Sequence, residues 1–214
     1  MLTDPKAKKV RGVAKLSKKD ARSETGLFLL EGPQGLKEAL NRPRLIVDIF
    51  ATEDALARHA EVFKKAEDCS IEIQLVTEQV LAAMCDTENP QGVLAVCEQV
   101  DVALDAVLPL KPRLIALLAN IRDPGNAGTV LRAADASGAD AVLFSANSVD
   151  VYNPKVVRST TGSLFHLPFV VDVDIEEAIT KLKAAGLQVF AANGGGDGIP
   201  SVGQEVLGQP TAWV

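Results

Sequence analysis

LIALLANIRDPGNAGTVLRAADASGADAVLF, running from Leu114 to Phe144, is the stretch from which the fold is read. LIALLA is a short, continuous apolar run, as a buried parallel strand shows. At Asn120 it breaks into NIRDPGNAG, where Pro124 and Gly125 are expected to stop any regular element. A helix is predicted from about Thr129 to Ser137, closed by Gly138 as a left-handed cap. AVLF (141–144) is the next strand. A βαβ unit of this length crosses over right-handed, and ligands of such sheets bind beyond the carboxyl ends of the strands, where the polar loop lies.

The alternation extends in both directions. Upstream, strands are expected at 28–32, 44–52, 71–76 and 92–100. Helices are expected at 33–41, at 54–67 with Asp54 as cap, and at 77–84. Asp101 to Arg113, with Pro109 and Pro112, reads as a linker. Downstream come a loop at 145–155, a helix at 155–162, a strand at 169–172 and an amphipathic helix at 175–185. LQVFAAN (187–193) then forms a strand that opens into Gly194-Gly195-Gly196-Asp197-Gly198, and PTAWV (210–214) begins one more. The fold class is therefore α/β in two domains: residues 1–100, the linker 101–113, and a parallel-sheet domain over 114–214.

Composition narrows the function. The chain has 214 residues, 47% of them hydrophobic, with mean hydropathy +0.14, as expected of an ordinary globular core. No apolar run approaches the ~18 residues of a membrane span, and the charged N-terminus has no signal-peptide core. Cys69, Cys85 and Cys97 form no C-x-x-C pair and read as packing thiols of a cytoplasmic protein without a metal site. The only histidines are His59 and His166. His166, inside LFHLPF, reads as a core or interface histidine.

The net charge of −6 conceals an asymmetry. Residues 1–22 hold eight basic against two acidic side chains, net +6, and the other 192 hold 14 against 26, net −12. Lys8, Lys9, Arg11, Lys15 and Lys18 surround an apolar helical face of Val10, Val13 and Leu16. This is an electrostatic handle for RNA phosphate, or else a solvated terminus.

Two motifs carry a resemblance. The first is Asn120-x5-Asn126-x-Gly128-x3-Arg132-x5-Gly138. The second is Asn153-Pro154-Lys155-Val156-Val157-Arg158-Ser159-Thr160-Thr161-Gly162, followed by LFHLPF. In this order they resemble motifs 1 and 2 of the SpoU-type (TrmH-like) RNA ribose 2′-O-methyltransferases, of the knotted α/β SPOUT superfamily. FLLEGPQ (28–34), ENPQGVLAV (88–96) and the basic N-terminal helix resemble the ribosomal-protein-like RNA-binding domain that precedes the catalytic one.

The resemblance implies transfer of a methyl group from S-adenosylmethionine to a ribose 2′-hydroxyl, in large-subunit ribosomal RNA, by a cytoplasmic homodimer. It casts Arg132 as the residue acting on the hydroxyl and Asn126 as the one positioning the site. A guanidinium stays protonated, so Arg132 as base stands beside Arg132 as a fork that orients the hydroxyl or holds the adjacent phosphate. Asn126 and Asn120 have plain turn roles as alternatives. Arg122, Asn153 and Arg158 are the further RNA candidates. Ala192, Asn193 and Gly194, at the Gly-rich loop, are the cofactor candidates.

These 214 residues hold no counterpart of the family's third motif. That motif binds most of the cofactor, ties the knot and builds much of the dimer interface, so this form is expected to lack most of its cofactor pocket. A non-catalytic RNA-binding protein on the same scaffold is the alternative. A dinucleotide enzyme is disfavoured, because no G-x-G-x-x-G follows a strand.

Overall fold

In the computed structural model, which describes residues 1–196 and 198–214, the helix of the opening stretch runs Pro124–Ala136 and not from Thr129. Pro124 and Gly125 do not block it, because they fall at its first two positions. There the missing N–H costs nothing and the proline φ is already helical. Asp123 caps the end, its Oδ1 accepting the N–H of Asn126 at 2.7 Å. At the other end Gly138 adopts φ +69 as expected, and Ala139 N–H returns to the Ala134 carbonyl at 2.9 Å.

In chain order, the first hundred residues form α1 (Lys8–Lys15), α2 (Lys19–Thr25), β1 (Leu27–Glu31), α3 (Pro33–Ala39), β2 (Ile46–Ala51), α4 (Glu53–Arg58), α5 (Ala60–Asp68), β3 (Ile73–Leu75), α6 (Glu78–Met84) and β4 (Val93–Glu98). There follow α7 (Leu104–Val107), β5 (Leu114–Leu118), α8 (Pro124–Ala136), β6 (Ala141–Ser145), α9 (Pro154–Thr160), β7 (Phe169–Val173), α10 (Ile175–Ala184), β8 (Gln188–Phe190), α11 (Gln204–Leu207) and β9 (Thr211–Trp213). They group into two compact units. One is Met1–Gln99 with Asp150–Phe165; the other is Val100–Val149 with His166–Val214.

The first unit is built on a mixed sheet in the order β1-β4-β2-β3, antiparallel except for the parallel pair β2 and β3. Val10, Val13 and Leu16 are buried against Leu29, Phe50, Val80 and Met84, so the apolar face read from their spacing is real. The helix expected over 54–67 breaks at His59, and the cap is Thr52, whose Oγ1 accepts Ala55 N–H at 3.2 Å. Asp150–Phe165 packs in this unit although it continues the βαβ stretch in sequence. The Phe28 ring lies 5.0 Å from that of Tyr152 and 6.3 Å from that of Phe165. Arg22, counted among the basic residues of the terminus, is 2% exposed. Its Nη1 donates to Leu16 O at 2.8 Å and its Nε to Asp150 Oδ2 at 3.1 Å.

The second unit is a five-stranded sheet, β7-β6-β5-β9-β8, parallel throughout. Ile115, Leu117, Leu143, Val170, Leu182 and Ala212 form its core. The linker expected over 101–113 carries α7, and Val107 is buried in the same core. The chain steps outward from β5 to β6 to β7, then resumes at the opposite edge with β8 and fills in β9 beside β5. The order therefore reverses between β5 and β9, the crevice where open α/β sheets hold ligands.

Candidate active site

The loop leaving β5 opens at that reversal. Asn120 adopts φ +52, in the sparsely populated left-handed region. Its N–H donates to Ser145 Oγ at 2.7 Å. Ser145, 1% exposed at the end of β6, thereby ties two adjacent strand ends together. The backbone of Asn120 is thus structural, while its side chain is exposed. Arg122 is exposed in the same loop.

Asn126 lies in the first turn of α8 and Arg132 past its second, because the helix begins five residues earlier than expected. Ala127, Gly128, Leu131 and Ala134 bury the opposite face. Six residues place Asn126 and Arg132 about 9 Å apart along the axis and about 120° apart around it, at the two margins of the exposed face. Both are exposed. Among the described residues the Arg132 guanidinium has no ion pair or hydrogen bond, so its whole fork is available to a ligand.

Ala192, Asn193 and Gly194 stand at the carboxyl end of β8, on the same side of the sheet as the loop leaving β5, with β9 between the two strands. With Phe190, Ile199 and Trp213 they line a cleft of about 570 Å³, within the size range of small-molecule sites. The Phe190 and Trp213 rings lie 5.3 Å apart, tilted by 41°. A Cβ on Gly194 would meet nothing within 4 Å, and on Gly195 or Gly196 only Asn193. The glycines therefore present bare backbone to open space. Asn193 Oδ1 accepts Gly195 N–H at 3.0 Å, and Ala192 N–H is taken by Val214 O at 2.8 Å. Asp197 of this loop lies outside the described residues.

His166 is not a core residue. Its side chain is 39% exposed, with Nδ1 2.7 Å from Asp135 Oδ2. A carboxylate only accepts, so Nδ1 carries the proton. Nothing in the sequence marked Asp135, although it lies one helical turn beyond Arg132.

The remaining candidates belong to the first unit. Lys8, Arg11, Lys15 and Lys18 are exposed. Lys9 Nζ is 2.7 Å from Asp48 Oδ1 and 5.1 Å from the centre of the Phe50 ring, so its charge is already partnered. Asn153 caps α9, its Oδ1 accepting Lys155 N–H at 2.9 Å. Arg158 reaches Glu31 at 2.9 Å and Asp86 at 3.0 Å. Reasoning from sequence missed Glu31. Its one signal is a lone carboxylate closing the apolar run FLLE.

The profile of the SpoU rRNA Methylase family matches residues 113–214, and that of the MRM3-like substrate binding domain matches residues 7–95. The 23S rRNA (guanosine(2553)-2′-O)-methyltransferase RlmP of Bacillus subtilis (strain 168) is 33% identical over 185 residues, which are 86% of this chain and 70% of that protein. The chain belongs to the SpoU rRNA methylase family. By family resemblance it is an S-adenosylmethionine-dependent RNA 2′-O-methyltransferase. The mitochondrial rRNA methyltransferase 3 of Xenopus laevis is 29% identical over 89% of this chain, but the match spans only 45% of that protein. The AdoMet-bound rRNA methyltransferase from Sinorhizobium meliloti superposes with a TM-score of 0.82 at 27% identity, over 99% of this chain and 78% of that one.

The 190–196 cleft fits the adenosine part of that cofactor. Phe190 and Trp213 offer an apolar face, the glycines leave open space beside the backbone, and Asn193, whose Oδ1 holds the Gly195 N–H, adds the NH2 of its amide. Among the described residues no group of three or more His, Cys, Asp and Glu side chains is arranged to hold a metal ion, and no helix is long and apolar enough to cross a membrane.

Proposed function

We propose that this protein methylates a ribose 2′-hydroxyl of large-subunit ribosomal RNA, as a cytoplasmic homodimer. The observation that carries the reading is Arg132, exposed and unpaired among the described residues, on the helix that leaves the sheet at its order reversal, with the 190–196 cleft on the same side of the sheet. S-adenosylmethionine, when bound, supplies an electrophilic methyl group. Arg132 orients the ribose hydroxyl or its neighbouring phosphate through two fork N–H groups, which lowers the cost of the in-line approach. As a permanent cation it also stabilises the oxyanion that develops as the hydroxyl loses its proton. Asn126, in the first turn of α8, fixes the loop against which the ribose rests. Ala192, Asn193 and Gly194 hold the adenosine.

On this reading residues 1–100 serve as the RNA-binding domain, 101–113 as linker and 114–214 as methyltransferase domain. Lys8, Arg11, Lys15, Lys18 and Arg122 contact phosphate, with Lys9, Asn153 and Arg158 shaping the surface around them. The names of the Bacillus and mitochondrial relatives, both rRNA methyltransferases, support the choice of substrate. The test is transfer of labelled methyl from S-adenosylmethionine to ribosomal RNA, followed by mapping of the 2′-O-methylated nucleotide. RNA binding without any transfer would instead select the non-catalytic reading of the scaffold.

A further inference from the structure

The cleft beside Arg158 has no role in the site described above. It lies within the first unit, has a volume of about 250 Å³, and is lined by apolar Leu30 and Val157 together with a ring of polar side chains. Glu31, its side chain 4% exposed, organises it. The Glu31 carboxylate accepts Arg158 Nη1 at 2.9 Å and the backbone N–H groups of Asp86 and Thr87 at 2.7 and 3.3 Å. Asp86 Oδ2 takes Arg158 Nη2 at 3.0 Å. The guanidinium is therefore clamped at both Nη atoms, while 29% of the Arg158 side chain stays exposed.

This clamp decides what the cleft attracts. One cation among two carboxylates leaves the local charge at −1, so phosphate is not drawn to it. A rigid planar cation with its charge compensated suits stacking against a π-face. At the rim, Asn89 and Gln91 are exposed, and among the described residues their amides have no hydrogen-bond partner. Each offers a donor beside an acceptor, the pattern that matches the edge of an unpaired nucleobase. The volume falls below that of pockets for drug-sized ligands and suits one ring system.

We propose that this cleft receives a single unstacked nucleobase of the RNA, stacked on the Arg158 guanidinium and read at its edge by Asn89 and Gln91. The proposal rests on the RNA methyltransferase reading and adds base recognition to it. It also gives Arg158 a role toward RNA other than phosphate contact.

The test is fluorescence anisotropy of a labelled, mixed-sequence single-stranded RNA titrated with the full chain at several salt concentrations. Asn89→Ala/Gln91→Ala is expected to weaken binding about tenfold without changing the salt slope, because no phosphate contact is lost. Against an RNA of abasic riboses, wild type and variant are expected to bind alike. A variant that binds intact RNA as tightly as wild type does would overturn the proposal, as would one equally weakened toward abasic RNA. The adenine of S-adenosylmethionine is the other possible source of such a ring. Calorimetric titration with the cofactor distinguishes it: lost cofactor affinity with RNA affinity intact would also overturn the proposal. If wild type binds neither RNA, the methyltransferase reading itself fails, and the pocket with it. Both amides are exposed, so the substitutions leave the fold undisturbed.

Discussion

Arg158 Nη1 lies 2.9 Å from Glu31 Oε2. The two residues belong to the phrases FLLEG and NPKVVRST, 127 positions apart, and their pairing docks α9 against β1. Glu31 also takes two backbone N–H groups of the 86–87 loop. A nearly buried carboxylate with three donors, one of them a guanidinium, holds helix, strand and loop together.

Removing that guanidinium leaves Glu31 buried and short of its cation. Arg158→Ala is therefore expected to lower the unfolding free energy by about 2 kcal/mol. Glu31 keeps its backbone donors and Arg158 is partly exposed, which limits the loss. Urea unfolding reads it, and an unchanged midpoint would show that the pair contributes nothing net.

Arg132 behaves in the opposite way. Exposed and without an ion pair among the described residues, it adds little to folding, so Arg132→Ala should leave the thermal midpoint within about 1 °C. Methyl transfer should fall by roughly a hundredfold or more, while RNA affinity changes little. Turnover retained at the wild-type rate would remove Arg132 from the mechanism.

The α1 charges are predicted to act through salt. Replacing Lys8, Arg11, Lys15 and Lys18 with Gln should reduce the slope of log affinity against log salt by roughly 3, at about 0.7 for each phosphate contact to single-stranded RNA. Lys9→Gln should change the slope less, since its ammonium is already held by Asp48 and Phe50. A slope that does not respond to the fourfold variant would make this helix a solvated face.

Cysteine reactivity tests the interior of the first unit. Burial pushes the Cys97 thiol up to about 12, and burial reinforced by the Glu31 carboxylate pushes Cys85 to about 12. Both are therefore thiols at pH 8, and the thiolate is the reactive form. Iodoacetamide at pH 8 should leave both unmodified in the native protein and modify them in urea. Glu31→Gln removes one of the charges that raise Cys85, so labelling there should accelerate. Labelling of native Cys85 at its unfolded rate would contradict this environment.

Much of this was legible from local pattern. The βαβ stretch, the left-handed Gly138 and the buried face of Val10, Val13 and Leu16 depend on neighbours within a few residues, and composition reports such neighbours. The start of α8 was misread because Pro124 and Gly125 are breakers in a helix interior but neutral in a first turn. Position relative to the cap decided that, and the cap was Asp123. Of the proposed site, Arg132, Asn126 and the 192–194 corner were named from spacing and resemblance. Asp135 beside His166 was not, since an aspartate on a helix carries no mark of what it faces.

By itself the sequence determined the α/β class, because periodicity is written along the chain, and two motifs whose residues and order resemble those of the SpoU family. Only the tertiary structure decided which charges remain available. Among residues the sequence presents alike, Arg22 is buried on Asp150, Lys9 is held by Asp48, Arg158 is clamped by Glu31 and Asp86, and Arg132 has no ion pair among the described residues. Partners for a charge come from anywhere in the chain, and only folding brings them within reach.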